Sequence, residues 1–599
     1  MPFATQVGPG GGSDEVRSRH GTEPATGTHV LTVALEDYFH VTPLEAVVTQ
    51  ERWYRFEMRL EASTRRTLDL LEECGARATF FVLGWVADAA PELVREVVNR
   101  GHEVASKGYY HRDIRGLGRE AFREDVLRAR EAIERASGRR VLGYRLPQQW
   151  LRPADLWMLE VLAETGHLYD SSVRLVFRTY AAEPWRQFPH RPMVRGRPFL
   201  EVPLSSIRVC GLHLPIAGGN YFRQFPDRLM RRAVRYWDRH YSSPYVMYFH
   251  TWEMDPDQPR IKGVSLPQQI RQYRNLAKMQ ATVRHYLESY RFTSIADFFG
   301  LADASGPDAG LSRTREPAGT PTSTLHPEQT STAAPLTAVS IVVPCYNEEQ
   351  SLRYLANTLG SVRRRLDERY QTTFIFVDDG STDATWQTLH TVFGAWPNCE
   401  FARHPGNRGV AQAILTGIAR APSEVVCSID CDCTYDPHEL EHMIPLLGPG
   451  IDVVTASPYH PAGRVKNVPQ GRLFLSKSLS RLYRVLLRQR IHTYTSCFRV
   501  YRRSAALHLP LHRGGFLGIA ELLGRLDLSG STIAEYPTTL ESRILGRSKM
   551  KVARTIVGHL GLLLELAVVR LRTQRGQHSS ADAAASDTSA SDAHAGAQP

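Results

Sequence analysis

Val425-Val426-Cys427-Ser428-Ile429-Asp430-Cys431-Asp432-Cys433-Thr434-Tyr435-Asp436-Pro437 is the stretch on which the reading of this chain turns. Its apolar opening predicts a buried strand, and Pro437 predicts a turn soon afterwards. Two carboxylates spaced i, i+2 at a strand's end both reach one hard divalent cation if the chain bends there. Oxygen ligands suit Mg²⁺ or Mn²⁺, and Mg²⁺ usually completes its shell with water and substrate phosphates. An isolated Asp-x-Asp is more often a solvated acidic turn, so the surrounding chain has to decide.

Around that stretch, β-rich apolar runs alternate with helical periodicity. Val339–Val343 and Phe374–Val377 read as strands, and Glu348–Leu366 and Ala384–Phe393 as helices. Pro344-Cys345-Tyr346-Asn347-Glu348-Glu349 closes the first strand and Val377-Asp378-Asp379-Gly380-Ser381 the second; Asn407-Arg408-Gly409 follows. All sit at the carboxyl ends of successive strands, where open α/β sheets bind ligands. In this order and spacing the combination resembles family 2 glycosyltransferases of the GT-A fold. The closest pattern is that of polyprenyl-phosphate (dolichol-phosphate-mannose-synthase-like) transferases, over about 337–569.

The resemblance implies a Rossmann-like domain with a nucleotide-sugar donor. Pro344, Tyr346 and Glu348 would line the nucleoside pocket, Asp378 and Asp379 would contact base or ribose, and Asp430 and Asp432 would hold Mg²⁺ or Mn²⁺ across the diphosphate. Thr495–Arg502 and Arg543–Met550 resemble the acceptor side, where Arg499, Arg543 and Lys549 would clamp phosphate, arginine with bidentate donors. The acceptor is expected to be a polyprenyl phosphate or a glycan. A lipid phosphate is already largely ionised near neutrality and needs no protein base. A sugar hydroxyl needs one, and Glu521 is the candidate.

In the first half, Val30–Leu35, Ala78–Leu83 and Glu103–Ser106 read as strands, with helices over Arg65–Cys74 and Pro91–Asn99. This is βαβα order, hence a parallel sheet. Glu36-Asp37-Tyr38-Phe39-His40, Ala78-Thr79-Phe80-Phe81-Val82, Gly101-His102-Glu103-Val104-Ala105-Ser106, Gly143-Tyr144-Arg145-Leu146-Pro147, Tyr169-Asp170-Ser171-Ser172 and Tyr248-Phe249-His250-Thr251-Trp252-Glu253 together resemble the polysaccharide deacetylase (NodB-like) family, in its exopolysaccharide-system branch. The resemblance implies a distorted (β/α) barrel, a metal held by one Asp and two His, a second Asp as base and a late His as acid. Asp37 matches the metal Asp, His111 the second His and His250 the acid, with Arg145 in its own motif. Ala34 stands where the branch carries the preceding Asp, and Lys107 where the first His belongs. A protonated lysine cannot ligate a metal. The expectation is therefore a pseudo-deacetylase without metal, a retained fold with a glycan-binding or scaffolding role, in which Lys107 takes the cation's place and pairs with Asp37. Rescue of hydrolysis by Glu36 or Asp113 is the rival reading.

At 599 residues and 42% hydrophobic content the chain has material for several cores, and its net charge of +11 favours anionic partners. No basic run with interleaved aromatics points to nucleic acid. Eight scattered cysteines form neither a disulfide framework nor a paired zinc motif; Cys431 and Cys433 lack a second ligand pair, and reduced thiols in a cytosol fit them better. Residues 1–27 are expected to be disordered without a secretory signal, 28–302 to form the barrel, 303–336 a flexible linker, 337–573 the transferase and 574–599 a disordered tail. No run is apolar for the roughly 18 residues that a membrane span needs. Ile556–Leu571 is expected to be a core helix, with an interfacial helix as the second reading. The expected location is cytoplasmic, with peripheral contact at an anionic membrane face as an option.

Overall fold

The computed structural model describes residues 27–147, 151–176, 180, 183–301, 336–468, 470–507, 509–546 and 557–571. The expected linker and both expected disordered ends lie outside the described residues, apart from a few positions at their edges. The chain divides into two units. The first takes the chain up to Glu45, then Met58–Gln258 and the residues from Leu266 to the linker; the second takes Ala46–Glu57, Pro259–Ser265 and the chain after the linker.

The first unit is organised by an all-parallel sheet. Its strands are β1 (Thr28–Leu35), β2 (Thr79–Val82), β3 (Glu103–Ser106), β4 (Gly143–Tyr144), β5 (Tyr169–Asp170), β6 (Leu200–Glu201), β7 (Val246–His250) and β8 (Arg291–Thr293). They run in the order β7-β1-β2-β3-β4-β5-β6, with β8 also paired to β1. This is the parallel sheet that the βαβα pattern implies, in the distorted barrel-type arrangement that the deacetylase resemblance implies. Helices α1 (Leu60–Glu73), α2 (Pro91–Asn99) and α3 (Arg119–Ser137) pack outside it, burying Leu68, Leu71, Val94, Val97, Val126 and Ile133. The first helix starts five residues earlier than its periodicity suggests. The Asp37 carboxylate, remote in sequence, accepts from the backbone N–H of Arg59 (2.7 Å) and Leu60 (3.0 Å) and so satisfies two orphan donors at that helix start.

The second unit is a mixed sheet of seven strands: β9 (Thr337–Cys345), β10 (Tyr370–Asp378), β11 (Cys399–Arg403), β12 (Val425–Ser428), β13 (Val453–Ser457), β14 (Arg499–Arg502) and β15 (Ile533–Pro537). Their order is β11-β10-β9-β12-β14-β13-β15, with β14 antiparallel to both neighbours. Val339, Ile341, Val342 and Val343 of β9 are wholly buried, each contributing about 1.5–3 kcal/mol of transfer free energy. Helices α4 (Leu352–Leu366), α5 (Thr385–Phe393) and α6 (Val410–Arg420) cover the sheet, and α7 (Gln470–Leu486), α8 (Gly515–Leu528) and α9 (557–571) follow.

The last helix meets the core-helix expectation on one face: Leu562 and Leu566 are wholly buried in the hydrophobic cluster of this unit. On its other faces Val557, Leu560, Leu564, Val568 and Leu571 are exposed, Leu564 by 72%.

Candidate functional site

Residues 344–348, 379, 407–410 and 430–435 converge because β9, β10 and β12 are adjacent and parallel, so their carboxyl ends open on one side of the sheet. They wall a cavity of about 530 Å³. Pro344, Tyr346, Glu348, Asp379, Asp430 and Asp432 all line it, as does Arg543. The helix expected from Glu348 begins only at Leu352, because the preceding residues are used as cavity wall. Asn347 takes φ +50°, and the Glu348 N–H donates to Thr385 Oγ1 at 2.7 Å.

The polar end of the cavity is a carboxylate cluster around one guanidinium. Arg543 donates from Nε to Asp432 Oδ2 at 2.6 Å, and its other nitrogen lies 2.8 Å from Glu348 Oε1. Burial opposes the charge on Arg543, but Asp432 and Glu348 overcome it and raise its pKa. Asp432 Oδ1 accepts from the N–H and hydroxyl of Thr434. Burial first, then the neighbouring Asp432, pushes Asp430 up to about 7. Asp379 accepts from the backbone N–H of Arg408 and Gly409, both at 2.8 Å, and pairs with His404 at 2.7 Å. Gly409 has to be glycine: at φ +94° a Cβ would stand 2.1 Å from the Gly515 nitrogen. The opposite wall is apolar, formed by Val468, Leu473, Leu475, Leu479 and Phe516. Sequence reasoning missed this wall; helical spacing in 470–486 was its available signal.

Three expected site residues are not where the resemblance would put them. Glu521 is fully buried in α8 and off the cavity wall; it accepts from the N–H of His512 and Arg513 and from Arg525 Nε at 2.8 Å. It braces the chain before α8 and is not placed as a base. Arg499 is also fully buried, and its guanidinium donates to the carbonyls of Tyr494 (2.8 Å) and Ile519 (3.2 Å) and to Thr455. It is a core tie and not a phosphate clamp. Asp378 lies behind the wall, where it accepts from the Ser381 N–H and pairs with Arg403 at 3.0 Å. Lys549 lies outside the described residues.

The first unit has its own, smaller cavity of about 110 Å³ at the carboxyl ends of β1, β4 and β7, reached by Ala34, Lys107, His111, Arg145 and His250. Here the expected pairing is corrected. Lys107 Nζ lies 2.5 Å from Glu36 Oε2, and His250 Nδ1 lies 2.5 Å from Glu36 Oε1. Asp37 is turned away and spent on the backbone at the start of α1. Burial works to raise the Glu36 pKa, but Lys107 and His250 together hold it well below the usual carboxylate range. Burial lowers Lys107 against the pull of Glu36, and pushes His111 down to about 4. Lys107 stands where the resemblance places a metal-ligating histidine, and its ammonium, on Glu36, competes with any cation for that carboxylate. Asp113 is off this cavity, accepting from the Arg115 N–H.

Comparison with known proteins agrees with this division. The family model "Glycosyl transferase family 2" matches residues 340–509, "Polysaccharide deacetylase" matches 51–157, and "Domain of unknown function (DUF3473)" matches 171–300. Polyprenol monophosphomannose synthase of Mycolicibacterium smegmatis is 30% identical over 230 residues, 37% of this chain and 84% of that protein. Dolichol-phosphate mannosyltransferase of Pyrococcus furiosus is 28% identical over 224 residues, again 37% of this chain but only 61% of that protein. Among solved structures, one described as a polysaccharide deacetylase from Mycobacterium smegmatis covers 47% of this chain and 92% of its own at 20% identity, with a TM-score of 0.33. The chain belongs to the family 2 glycosyltransferases, and it carries a deacetylase-like region ahead of its transferase domain. It is a glycosyltransferase.

Proposed function

We propose that the C-terminal unit moves a sugar from a nucleotide-sugar donor to a polyprenyl phosphate at a membrane face, and that the barrel unit does not hydrolyse acetyl groups. The observation that carries the reading is the two-ended cavity, with carboxylates and Arg543 at one end and an apolar wall at the other. The matched relatives support it, being named for polyprenol and dolichol-phosphate mannosyl transfer.

Asp430 and Asp432 are an all-oxygen donor pair that fits Mg²⁺ or Mn²⁺, with the Arg543 guanidinium already on Asp432 as the balancing cation. A bound divalent ion would supply charge neutralisation on the departing diphosphate. Within the chain, Pro344, Tyr346 and Asp379 hold the nucleoside side. Arg543, when released from Asp432 and Glu348 by the donor, is placed to turn to phosphate oxygens. The acceptor is better read as a phosphate than as a hydroxyl. A hydroxyl needs a base, and the expected base is committed to His512, Arg513 and Arg525. The membrane contact is supported by Phe474, Leu482 and Val485 of α7 and Leu560 and Leu564 of α9, all exposed, on a chain of net charge +11. Among the described residues no helix is long and apolar enough to cross a membrane.

The test incubates the full chain with undecaprenyl phosphate in detergent micelles, Mn²⁺ and a panel of radiolabelled nucleotide sugars. Label should enter the organic phase with one donor and fail to do so in Asp432→Ala. Label that partitions only with a water-soluble glycan acceptor would replace the lipid reading. For the barrel, acetate release from chitooligosaccharides with added Zn²⁺ or Co²⁺ should stay at background.

A further inference from the structure

Two short segments from the first half of the sequence, Ala46–Glu57 and Pro259–Ser265, belong to the second unit. Both are tied to the loop that brings Arg543 into the cavity. That loop, 541–546, leaves a short strand pairing at Glu541, where Thr539–Glu541 runs beside Arg464–Lys466; residues 542–546 belong to no strand or helix. A loop without a hydrogen-bond ladder of its own takes its position from whatever its groups are bonded to.

The bonds fall on both sides of Arg543. Two residues before it, the Glu541 carboxylate accepts from both terminal nitrogens of Arg52, one of them at 3.1 Å, in a forked pairing that fixes direction as well as distance. One residue after it, the Ile544 carbonyl accepts from the Lys262 N–H at 2.8 Å. Three residues after it, the Gly546 carbonyl accepts from Lys262 Nζ. Packing is close on the same side: a Cβ at Gly263 would stand 3.1 Å from Val47 Cγ1 and 3.5 Å from Ser542 Oγ. Neither tie is made to the Arg543 side chain, whose guanidinium lies on Asp432 and Glu348. The base of that side chain is held while its end is left to turn.

Arg52 has an electrostatic effect as well. Glu541 lines the same cavity as Glu348, Asp430 and Asp432, and a fourth uncompensated carboxylate there would repel a diphosphate. Arg52 offsets that charge, with Lys466 adding to it from 3.8 Å.

We infer that Arg52 and Lys262 are positioning residues for sugar transfer, holding the loop 541–546 so that Arg543 meets the donor diphosphate. The transferase site then draws on sequence well outside 337–573. The inference rests on the reading of this cavity as a nucleotide-sugar site.

The experiment is isothermal titration of the full chain with ADP, GDP, UDP, CDP and dTDP in the presence of Mn²⁺, then of variants with whichever nucleotide the wild-type chain binds. The double variant Arg52→Gln/Lys262→Met should weaken that binding by about tenfold, and Arg543→Gln by about tenfold or more. Added to Arg543→Gln, the double variant should cost less than about twofold further, because residues that act through one group are not additive. A purely structural loss would add in full. Arg52 and Lys262 are both partly exposed, so the urea midpoint should stay near that of the wild type. Arg52→Gln alone, with about threefold expected, carries the test where the double variant unfolds. Binding by the double variant within about twofold of wild type, or the same loss with Arg543 already replaced, would overturn the inference and leave the nucleotide-sugar reading standing. No nucleotide binding by the wild-type chain would overturn that reading itself, and the inference with it.

Discussion

Glu36 and Asp37 are adjacent, and their fates show what one residue of register does. Ala34, near the end of β1, and Glu36, just past it and two residues on, line the cavity, while Asp37 accepts from the backbone at the start of α1. Motif matching put Asp37 opposite Lys107; the period of two, read from β1, points to Glu36 instead. Removing that partner is expected to be severe. Glu36→Gln leaves the buried Lys107 ammonium unpaired, and should cost about 3–5 kcal/mol in urea unfolding, with the double variant Glu36→Gln/Lys107→Met recovering most of it. A loss below about 1 kcal/mol would mean that the pair is not buried as described. Glu521 gives the complementary case. Glu521→Gln should lower stability by about 1–3 kcal/mol yet leave transfer per folded molecule within about threefold, whereas loss of a general base costs on the order of a hundredfold or more. Its position between apolar residues carried no information on whether it faced a cavity or the core.

At the scale of elements, the long apolar runs were legible and the short or shared ones were not. β3 and α2 fall where the pattern places them, and β9 and β10 extend it by a few residues. β4, β5 and β6 are two residues each, too short for any periodicity to register. Helix starts were misjudged wherever a remote carboxylate or a cavity wall set them, as at Leu60 and Leu352. α9 was legible on its core side, through Leu562 and Leu566, but apolar content alone does not say what its outward residues meet. Its outward residues supply the third prediction. Leu564→Glu combined with Val568→Glu should reduce sedimentation with anionic phospholipid vesicles by about tenfold or more, since each removes an apolar side chain from the contact and adds repulsion. Unchanged binding would remove α9 from the membrane contact.

For the molecule as a whole, buried histidines give the stability of the barrel unit an acid-sensitive component. Burial pushes His102 down to about 4 and His167 down to about 3, against 6.5 for the free side chain. Between those values the unfolded chain binds more protons than the folded one, so stability is full above about 6.5 and falls as the pH drops toward 4. Each group contributes a slope of about 1.4 kcal/mol per pH unit while it stays neutral. Buried Asp37, raised to about 7, and Asp170, raised to about 6, act with the opposite sign, so the histidine share is read by difference: His167→Gln should make the urea midpoint fall less, or rise more, from pH 7 to pH 5 than in the wild-type chain, and equal slopes would exclude that residue. Composition showed two α/β patterns on either side of a Pro-, Ser- and Thr-rich stretch; that Ala46–Glu57 and Pro259–Ser265 group with the second unit, against the expected unbroken 28–302, left no mark in composition.

The central claim, that Asp430 and Asp432 and the cavity around them carry sugar transfer to a lipid phosphate, is tested most directly by sugar entering the organic phase from a nucleotide-sugar donor with undecaprenyl phosphate and Mn²⁺. The account predicts transfer by the wild-type chain that drops to background in Asp432→Ala with the fold intact. Equal transfer by both proteins, or none by either across the donor panel, would contradict it.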